Sequence, residues 1–393
     1  MPHYQYLIIG GGMTADAAVH GIREVDPNGA IGIISAEAHP PYNRPPLSKG
    51  LWKGEPEESI WRGTPQQPGV TLHLGRRAVA LEPGAKRVTD DQGTVYTFDK
   101  LLLATGGTPR RIPGSPEQVI YFRTYDDYRR LRALAAQGAR FVVIGGGFIG
   151  SEIAAALTMN GAGVTMLFLE EGIGGRLFPA GLARFLNDYY RQKGVEVLPG
   201  ESVTAIEARG EELVVRTQSG RELAGTGVVA GLGILPNVEL ARDAGLGIED
   251  GIRVDAFTRT DHPDIHAAGD VASFYNPALG KRLRVEHEDN ANTMGNVAGQ
   301  NMAGRSVRYD HLPFFYSDLF ELGYEAVGDT DSRLQTVEYW KDPYHEGVVY
   351  YLQDGRVRGV LLWNVWGQVD AARRLIAEPG PFRPEDLKGR LPE

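Results

Sequence analysis

A glycine-rich turn set between an apolar strand and a helix occurs twice in this chain, once at its start and once near its middle. The first reads Tyr6-Leu7-Ile8-Ile9 and then Gly10-Gly11-Gly12-Met13-Thr14-Ala15, a GxGxxA pattern. The second reads Phe141-Val142-Val143-Ile144 and then Gly145-Gly146-Gly147-Phe148-Ile149-Gly150, the full GxGxxG. Glycines at these spacings permit a tight turn and bring bare backbone up to a ligand. The helix behind them offers unpaired N–H groups and the positive end of its dipole to a pyrophosphate. One such turn is a weak signal. Two, each followed by a second apolar strand at Ile31-Gly32-Ile33-Ile34 and at Val164-Thr165-Met166-Leu167-Phe168-Leu169-Glu170, predict two parallel βαβ units, each able to hold a dinucleotide.

A chain of 393 residues is too long for one core and predicts two or three domains. Its formal net charge of −9 argues against a nonspecific nucleic-acid or anionic-membrane surface, although local basic patches remain. There is no cysteine, which excludes structural disulfides, thiolate metal sites and a redox dithiol together. No metal site is expected. No apolar run approaches the ~18 residues of a membrane span, and Met1-Pro2-His3 leads directly into the first strand, so a cytoplasmic protein is the expectation.

Between the two units lies the Pro-rich stretch Pro40 to Lys49, read as stiff but irregular. Short alternating runs from Val70 to Phe98 read as a β-meander, a helix is expected around Tyr125 to Gln137, and a hairpin region around Ser202 to Leu223. From about Arg308 the chain alternates like antiparallel strands, with a turn at Asp354-Gly355 between Gly347–Leu352 and Val357–Trp363, and reads as a separate α+β domain.

Dinucleotide sites of this kind use a carboxylate shortly after the second strand to accept hydrogen bonds from ribose hydroxyls. Glu37 and Glu170 stand there. Glu37 follows its strand by two residues, with a solvated loop carboxylate as the alternative reading, whereas Glu170 is expected to close its strand directly. Glu171 beside Glu170 doubles the negative charge against a 2′-phosphate, so NADH is favoured over NADPH, with Arg176 weighing the other way.

Two further segments, Thr105-Gly106-Gly107-Thr108-Pro109-Arg110 and Ile265-His266-Ala267-Ala268-Gly269-Asp270, resemble the remaining signatures of the two-dinucleotide flavoprotein reductases. Arg44-Pro45-Pro46-Leu47-Ser48-Lys49 narrows this to their ferredoxin-reductase-like branch. Tyr42–Trp52, Val285–Asp289, Tyr316–Leu319, Gly323–Gly328 and Leu362-Trp363-Asn364 are similar to apoptosis-inducing factor, in a form without the long regulatory insertion that the animal proteins carry where Leu334–Glu346 stands here.

The resemblance implies an α/β fold of two Rossmann-like, glutathione-reductase-type domains plus a C-terminal α+β domain. FAD would be held by residues 1–113 and 245–307, NAD by 114–244, and 308–393 would form the C-terminal domain. On the FAD side it implies Gly10, Gly12 and Ala15 at the pyrophosphate, Glu37 and Arg44 at the nucleotide and Asp270 at a ribitol hydroxyl, with Thr105, Gly106, Arg110, Gly269 and Glu286 at the cofactors. On the NAD side it implies Gly145, Gly147, Ile149, Gly150, Glu170 and Gly233. Phe148 resembles an aromatic gate over the flavin, and Lys49 paired with Glu152 the catalytic couple beside its N5. His287 and Trp363 resemble neighbours of the nicotinamide and of the electron exit route; each also reads as an ordinary buried side chain.

Hydride transfer places the nicotinamide C4 near flavin N5, the protein supplying position and electrostatics. Without a dithiol the electrons must leave toward a ferredoxin, a rubredoxin-type carrier, a quinone or oxygen. Arg129-Arg130-Leu131-Arg132 and Lys281-Arg282-Leu283-Arg284 could dock an acidic carrier or be solvated faces. The alternative is a redox-gated binding protein with a stable reduced flavin–NAD complex and slow turnover, centred on Tyr339–Glu346. A monomer or homodimer without nucleic-acid binding is expected.

Overall fold

The apolar run Tyr6–Ile9 is flanked on both sides by other apolar strands, which is what a strand buried on both faces requires. In the computed structural model, which describes residues 1–392, it lies within the strand His3–Ile9, pairing in parallel with Ile31–Ser35 on one side and Val95–Leu103 on the other. Leu7, Ile8, Ile31, Ile33 and Leu101 to Leu103 have no accessible surface and form the core of this unit, which comprises Met1–Arg44, Glu57–Thr108 and Leu235–Pro313.

The sheet order is Val70–Leu74, Ile31–Ser35, His3–Ile9, Val95–Leu103, Arg87–Asp90, Ala78–Glu82, with Ile265–Ala267 also on Val95–Leu103. The expected meander therefore begins later than read. Val70–Leu74 pairs in parallel with Ile31–Ser35 and extends the nucleotide-type sheet; only the last three strands before Ala104 run antiparallel to one another. Alternating short strands look alike in sequence whichever direction their partner runs. The helix Glu288–Met302, rich in Asn and Gly, packs against Met13–Arg23 through missing side chains. A Cβ at Gly299 would lie 2.1 Å from the Ala18 carbonyl oxygen, and one at Gly21 2.0 Å from that of Asn296.

His266 on Ile265–Ala267 is 2 % exposed, its Nδ1 3.0 Å from the Thr258 hydroxyl, and burial pushes its pKa down to about 4. A neutral histidine in the fold that titrates near 6.5 when unfolded contributes in full above pH 6.5, and that contribution is lost as pH falls toward 4. The unfolding free energy is expected to drop by up to about 3 kcal/mol on this account. A His266→Gln variant should follow a flatter pH curve in urea unfolding; parallel curves would refute the assignment.

The second unit comprises Pro45–Pro56, Pro109–Ile234 and the chain from Phe314 on. Its parallel sheet is ordered Val195–Pro199, Gly163–Phe168, Arg140–Ile144, Gly227–Ala230, Ile120–Tyr121. The helix Tyr125–Ala135 starts at a Thr124–Asp127 capping box. A five-stranded antiparallel sheet follows, ordered Phe314–Leu319, Leu322–Gly328, Arg356–Trp363, Glu346–Gln353, Gln335–Asp342, with the helix Val369–Ala377 packed on it. Its Asp354-Gly355 turn has φ of +52° and +71°, the left-handed pair that a tight hairpin needs. The Pro-rich stretch is more regular than read, because Pro45–Ser48 and Gly50–Lys53 form 3-10 turns. Proline fits the first position of such a turn, where its missing N–H has no partner to lose.

Candidate active site

The two fingerprints have closely matching geometry. Gly10 and Gly145 both have φ of +114°, and each donates its N–H across the sheet, to Ile34 O at 2.8 Å and to Leu167 O at 2.9 Å. A Cβ would lie 2.1 Å from Ala104 O at Gly10 and 2.4 Å from Gly231 O at Gly145, so no side chain fits at either turn. Gly12 and Gly147 are the N-caps of Met13–Arg23 and Phe148–Met159, and neither cap has a side chain that covers the helix end. A Cβ at Gly147 would meet nothing within 4 Å, and one at Gly12 only Arg44 Nη2 at 4.0 Å. Open backbone at a helix N-terminus suits a pyrophosphate, and both cradles have it.

The third positions differ. Gly150 lies so close to its turn that a Cβ would sit 1.9 Å from Gly145 O, whereas Ala15 is accommodated with its side chain fully buried. Both positions therefore set how tightly the helix packs on its turn. Ile149, beside Gly150, is partly exposed.

The two carboxylates also occupy equivalent places. Gly163–Phe168 ends two residues before Glu170, as Ile31–Ser35 ends two before Glu37, so Glu170 does not close its strand as expected. The Glu37 carbonyl accepts from Gly75 N–H at 3.0 Å and that of Glu170 from Gly200 N–H at 3.1 Å. An arginine closes on each: Arg44 Nη2 reaches Glu37 at 2.5 Å, with the Tyr42 hydroxyl at 2.6 Å, and Arg176 Nε reaches Glu170 at 2.5 Å. Arg44 is a fifth exposed and Arg176 four-fifths exposed. Glu37 is thus part of a charged network rather than a solvated loop residue.

The shared signatures repeat the symmetry. Gly106 and Gly233 have φ of +61° and +79°; Gly106 O accepts from Asn237 N–H at 3.0 Å, and Gly233 O from Arg110 N–H at 2.9 Å. Thr105 and Asn237 exchange two further hydrogen bonds, both 2.8 Å. Asn237 was not anticipated, although its Leu235-Pro236-Asn237 parallels Thr108-Pro109-Arg110. Gly269 leaves room for Thr14, whose hydroxyl would otherwise be 2.2 Å from a Cβ. Arg284 donates to Asp270 O at 3.0 Å and to Glu286 at 2.6 Å, and so orders the turn bearing Asp270. His287 is the N-cap of Glu288–Met302, and desolvation pushes its pKa down to about 4, which keeps it neutral.

Lys49 and Glu152 meet. Lys49 Nζ lies 2.8 Å from Glu152 Oε2, with their side chains 12 % and 3 % exposed, so the pair is desolvated. Sequence reading found the couple but not what completes it: the hydroxyls of Ser48 and Ser317 each donate to the Glu152 carboxylate at 2.6 Å. Two hydroxyl donors and an ammonium satisfy a buried carboxylate, which alone would be costly to bury. Burial first, and this carboxylate second, hold the Tyr190 and Tyr324 phenols well above their ordinary pKa. Lys49 also lies 5.3 Å from the Tyr316 ring centroid, in cation–π range.

Phe148 is partly exposed and packs edge-on against Phe315, with ring centroids 5.0 Å apart. Trp363 has no accessible surface; it stacks on Tyr324 at 5.6 Å and donates its indole N–H to Tyr344 O at 2.8 Å. It packs within the antiparallel sheet, as the ordinary buried-side-chain reading has it. Of the two basic runs, Arg282 and Arg284 donate to backbone carbonyls; Arg129 and Arg130 are exposed on Tyr125–Ala135, and Arg130 too donates to a backbone carbonyl, Gln118 O at 2.8 Å.

Residues 4–295 match the family described as pyridine nucleotide-disulphide oxidoreductase. The chain belongs to that family. Within this family of oxidoreductases the present chain lacks the cysteines of a disulphide centre. Residues 298–343 and 338–378 match the C-terminal region of mitochondrion-associated apoptosis-inducing factor. The chain is 33 % identical to apoptosis-inducing factor 1, mitochondrial, of Dictyostelium discoideum, over 95 % of this chain and 78 % of that protein. It is 34 % identical to the ferredoxin–NAD(+) reductase component of the anthranilate 1,2-dioxygenase system of Burkholderia cepacia, over 97 % and 96 %. Among solved structures it is similar to a chain of the covalent putidaredoxin reductase–putidaredoxin complex, with a TM-score of 0.90 at 28 % identity, covering 98 % of this chain and 95 % of that one. No helix among the described residues is long and apolar enough to cross a membrane.

Proposed function

We propose that this protein is an FAD-dependent NADH oxidoreductase that passes electrons to a small iron–sulfur or rubredoxin-type carrier rather than to a disulphide. Two matching nucleotide cradles in a chain without cysteine carry the reading. When bound, the cofactors supply hydride transfer from the nicotinamide to the flavin. FAD belongs to the first fingerprint, where the backbone at Gly10, Gly12 and Ala15 receives the pyrophosphate, with Glu37, Arg44 and Asp270 on its sugar and ribityl hydroxyls. NADH belongs to the second, where Gly145, Gly147 and Gly150 receive the pyrophosphate and Glu170 the ribose. Lys49 is the catalytic cation, held by Glu152, whose carboxylate the two serine hydroxyls fix in turn. Residues 308–393 form the C-terminal domain, and the protein acts in the cytoplasm as a monomer or homodimer.

The test is anaerobic titration. The purified protein should be yellow, bleach on addition of NADH, and regain colour when an oxidised ferredoxin or rubredoxin is added. A colourless protein that takes up no FAD on incubation would overturn the reading. A second reading, a redox-gated binding protein, draws support from the turn after Gln335–Asp342. Tyr344 there packs on Phe185 of the helix Ala180–Gln192 at 5.4 Å, joining the second nucleotide half to the antiparallel sheet. A change in sedimentation with NADH, together with slow reoxidation by every carrier tried, would favour it.

A further inference from the structure

The first cradle carries a charge that the second lacks. Asp16 stands in the first turn of Met13–Arg23, the helix behind Gly10, Gly11 and Gly12, and its side chain is 6 % exposed. The equivalent place in Phe148–Met159 is held by Ser151, whose hydroxyl donates to Gly147 O at 2.9 Å and to Phe148 O at 3.0 Å; that first turn has no acidic residue. A buried carboxylate at a helix N-terminus draws on the same positive dipole end that a pyrophosphate uses, and it repels the pyrophosphate besides.

A later segment meets this carboxylate. Arg62 Nε lies 3.3 Å from Asp16 Oδ2, the Thr64 hydroxyl donates to Oδ1, and the half-exposed His20 approaches at 3.7 Å. The Arg62 guanidinium also donates to Met13 O at 3.1 Å and, through both terminal nitrogens, to Asn292 Oδ1 at 2.8 Å, so it spans the cradle helix and Glu288–Met302. Its main chain is fixed as well. Arg62 N–H donates to Pro41 O at 3.0 Å and Asn43 N–H to Ile60 O at 2.8 Å, on either side of the bridge between Tyr42 and Trp61. With its side chain 17 % exposed, Arg62 is an enclosed cation held in one place.

Resting on the assignment of the first fingerprint to FAD, we infer that Arg62 is a positioning residue for the flavin nucleotide: it neutralises Asp16 and so leaves the positive end of the cradle helix to the pyrophosphate. The second cradle, with a neutral serine in that place, needs no such partner. Removing the guanidinium leaves an uncompensated buried carboxylate in the first turn behind the phosphate cradle, which is the costly half of a broken ion pair.

The experiment is a double-mutant cycle on FAD affinity. Equilibrium dialysis of the yellow holoprotein, with released FAD read by its fluorescence, gives the Kd in the parent, Arg62→Gln, Asp16→Asn and the double variant. Arg62→Gln should weaken FAD by about tenfold in the parent, the scale of one unpaired charge near another in a partly desolvated site. In the Asp16→Asn background it should cost less than about threefold, because no carboxylate remains to be neutralised. The bonds to Met13 O and Asn292 are lost equally in both backgrounds, so a purely structural role predicts equal costs. Costs that differ by less than about threefold lie close to simple additivity and overturn the inference. Should Arg62→Gln not fold alone, Arg62→Lys decides: FAD held within about threefold of the parent supports charge compensation, and a larger loss overturns it. A parent that takes up no FAD refutes the assignment of the first fingerprint instead, and the two failures are distinct.

Discussion

Gly10→Ala is expected to yield a colourless, flavin-free protein, and Gly145→Ala a yellow one that NADH no longer bleaches at concentrations sufficient for the parent. Both residues sit at φ +114°, where a side chain is strained, and in both an added Cβ would overlap a backbone carbonyl, at 2.1 and 2.4 Å. Backbone atoms cannot rotate away as a flexible side chain can, so the turn itself must move. That costs about 2–4 kcal/mol locally and withdraws the N–H groups from the pyrophosphate, which amounts to a loss of nucleotide affinity of more than about tenfold. The informative part is the separation of effects. Flavin absorbance after gel filtration reports one cradle, and a fluorescence titration with NADH under anaerobic conditions reports the other. Loss of FAD from Gly145→Ala with retention by Gly10→Ala would reverse the assignment, and no effect in either would remove the cradles from the mechanism.

Glu152→Ala should cost about 3–5 kcal/mol of stability, because it strands the Lys49 ammonium and two serine hydroxyls in a desolvated pocket. Glu152→Gln should cost less, since its amide oxygen still accepts from a hydroxyl. The double variant Lys49→Met with Glu152→Met removes both charges and should recover most of the loss, as apolar replacements of buried ion pairs do. It should nevertheless reduce slowly with NADH. Urea unfolding followed by tryptophan fluorescence gives the first result, and stopped-flow flavin absorbance the second. A Glu152→Ala variant within 1 kcal/mol of the parent would show that solvent reaches the pair, and a double variant reduced at the parental rate would limit Lys49 and Glu152 to a structural role.

Much of the site was legible because its chemistry is local. The glycines at 10, 12, 145, 147 and 150 act through the few residues around them, and a strand, a tight turn and a helix leave a readable pattern. Glu37 and Glu170 were legible as candidates by their distance from those turns. Their arginines were less so: Arg44 and Arg176 follow at different spacings, and only the folded loops show that each closes on its acid. Ser317 gave no sign in the sequence of its bond to Glu152, which lies 165 residues away along the chain. Trp363 was ambiguous for the same reason, since an aromatic residue in an alternating strand reads identically whether its ring borders a ligand or fills a core.

The order of residues alone predicted two dinucleotide folds and excluded a redox dithiol, and the family resemblance added the Lys49–Glu152 couple. Turn geometry, helix ends and missing functional groups are properties of short segments or of composition. The fold alone decided that Ser48 and Ser317 complete that couple, that Val70–Leu74 joins a parallel sheet, and that Arg176 is exposed where Arg44 is enclosed. Burial and partner direction arise only when segments distant in the chain are brought together, and it is burial that converts an ordinary charged side chain into a fixed one.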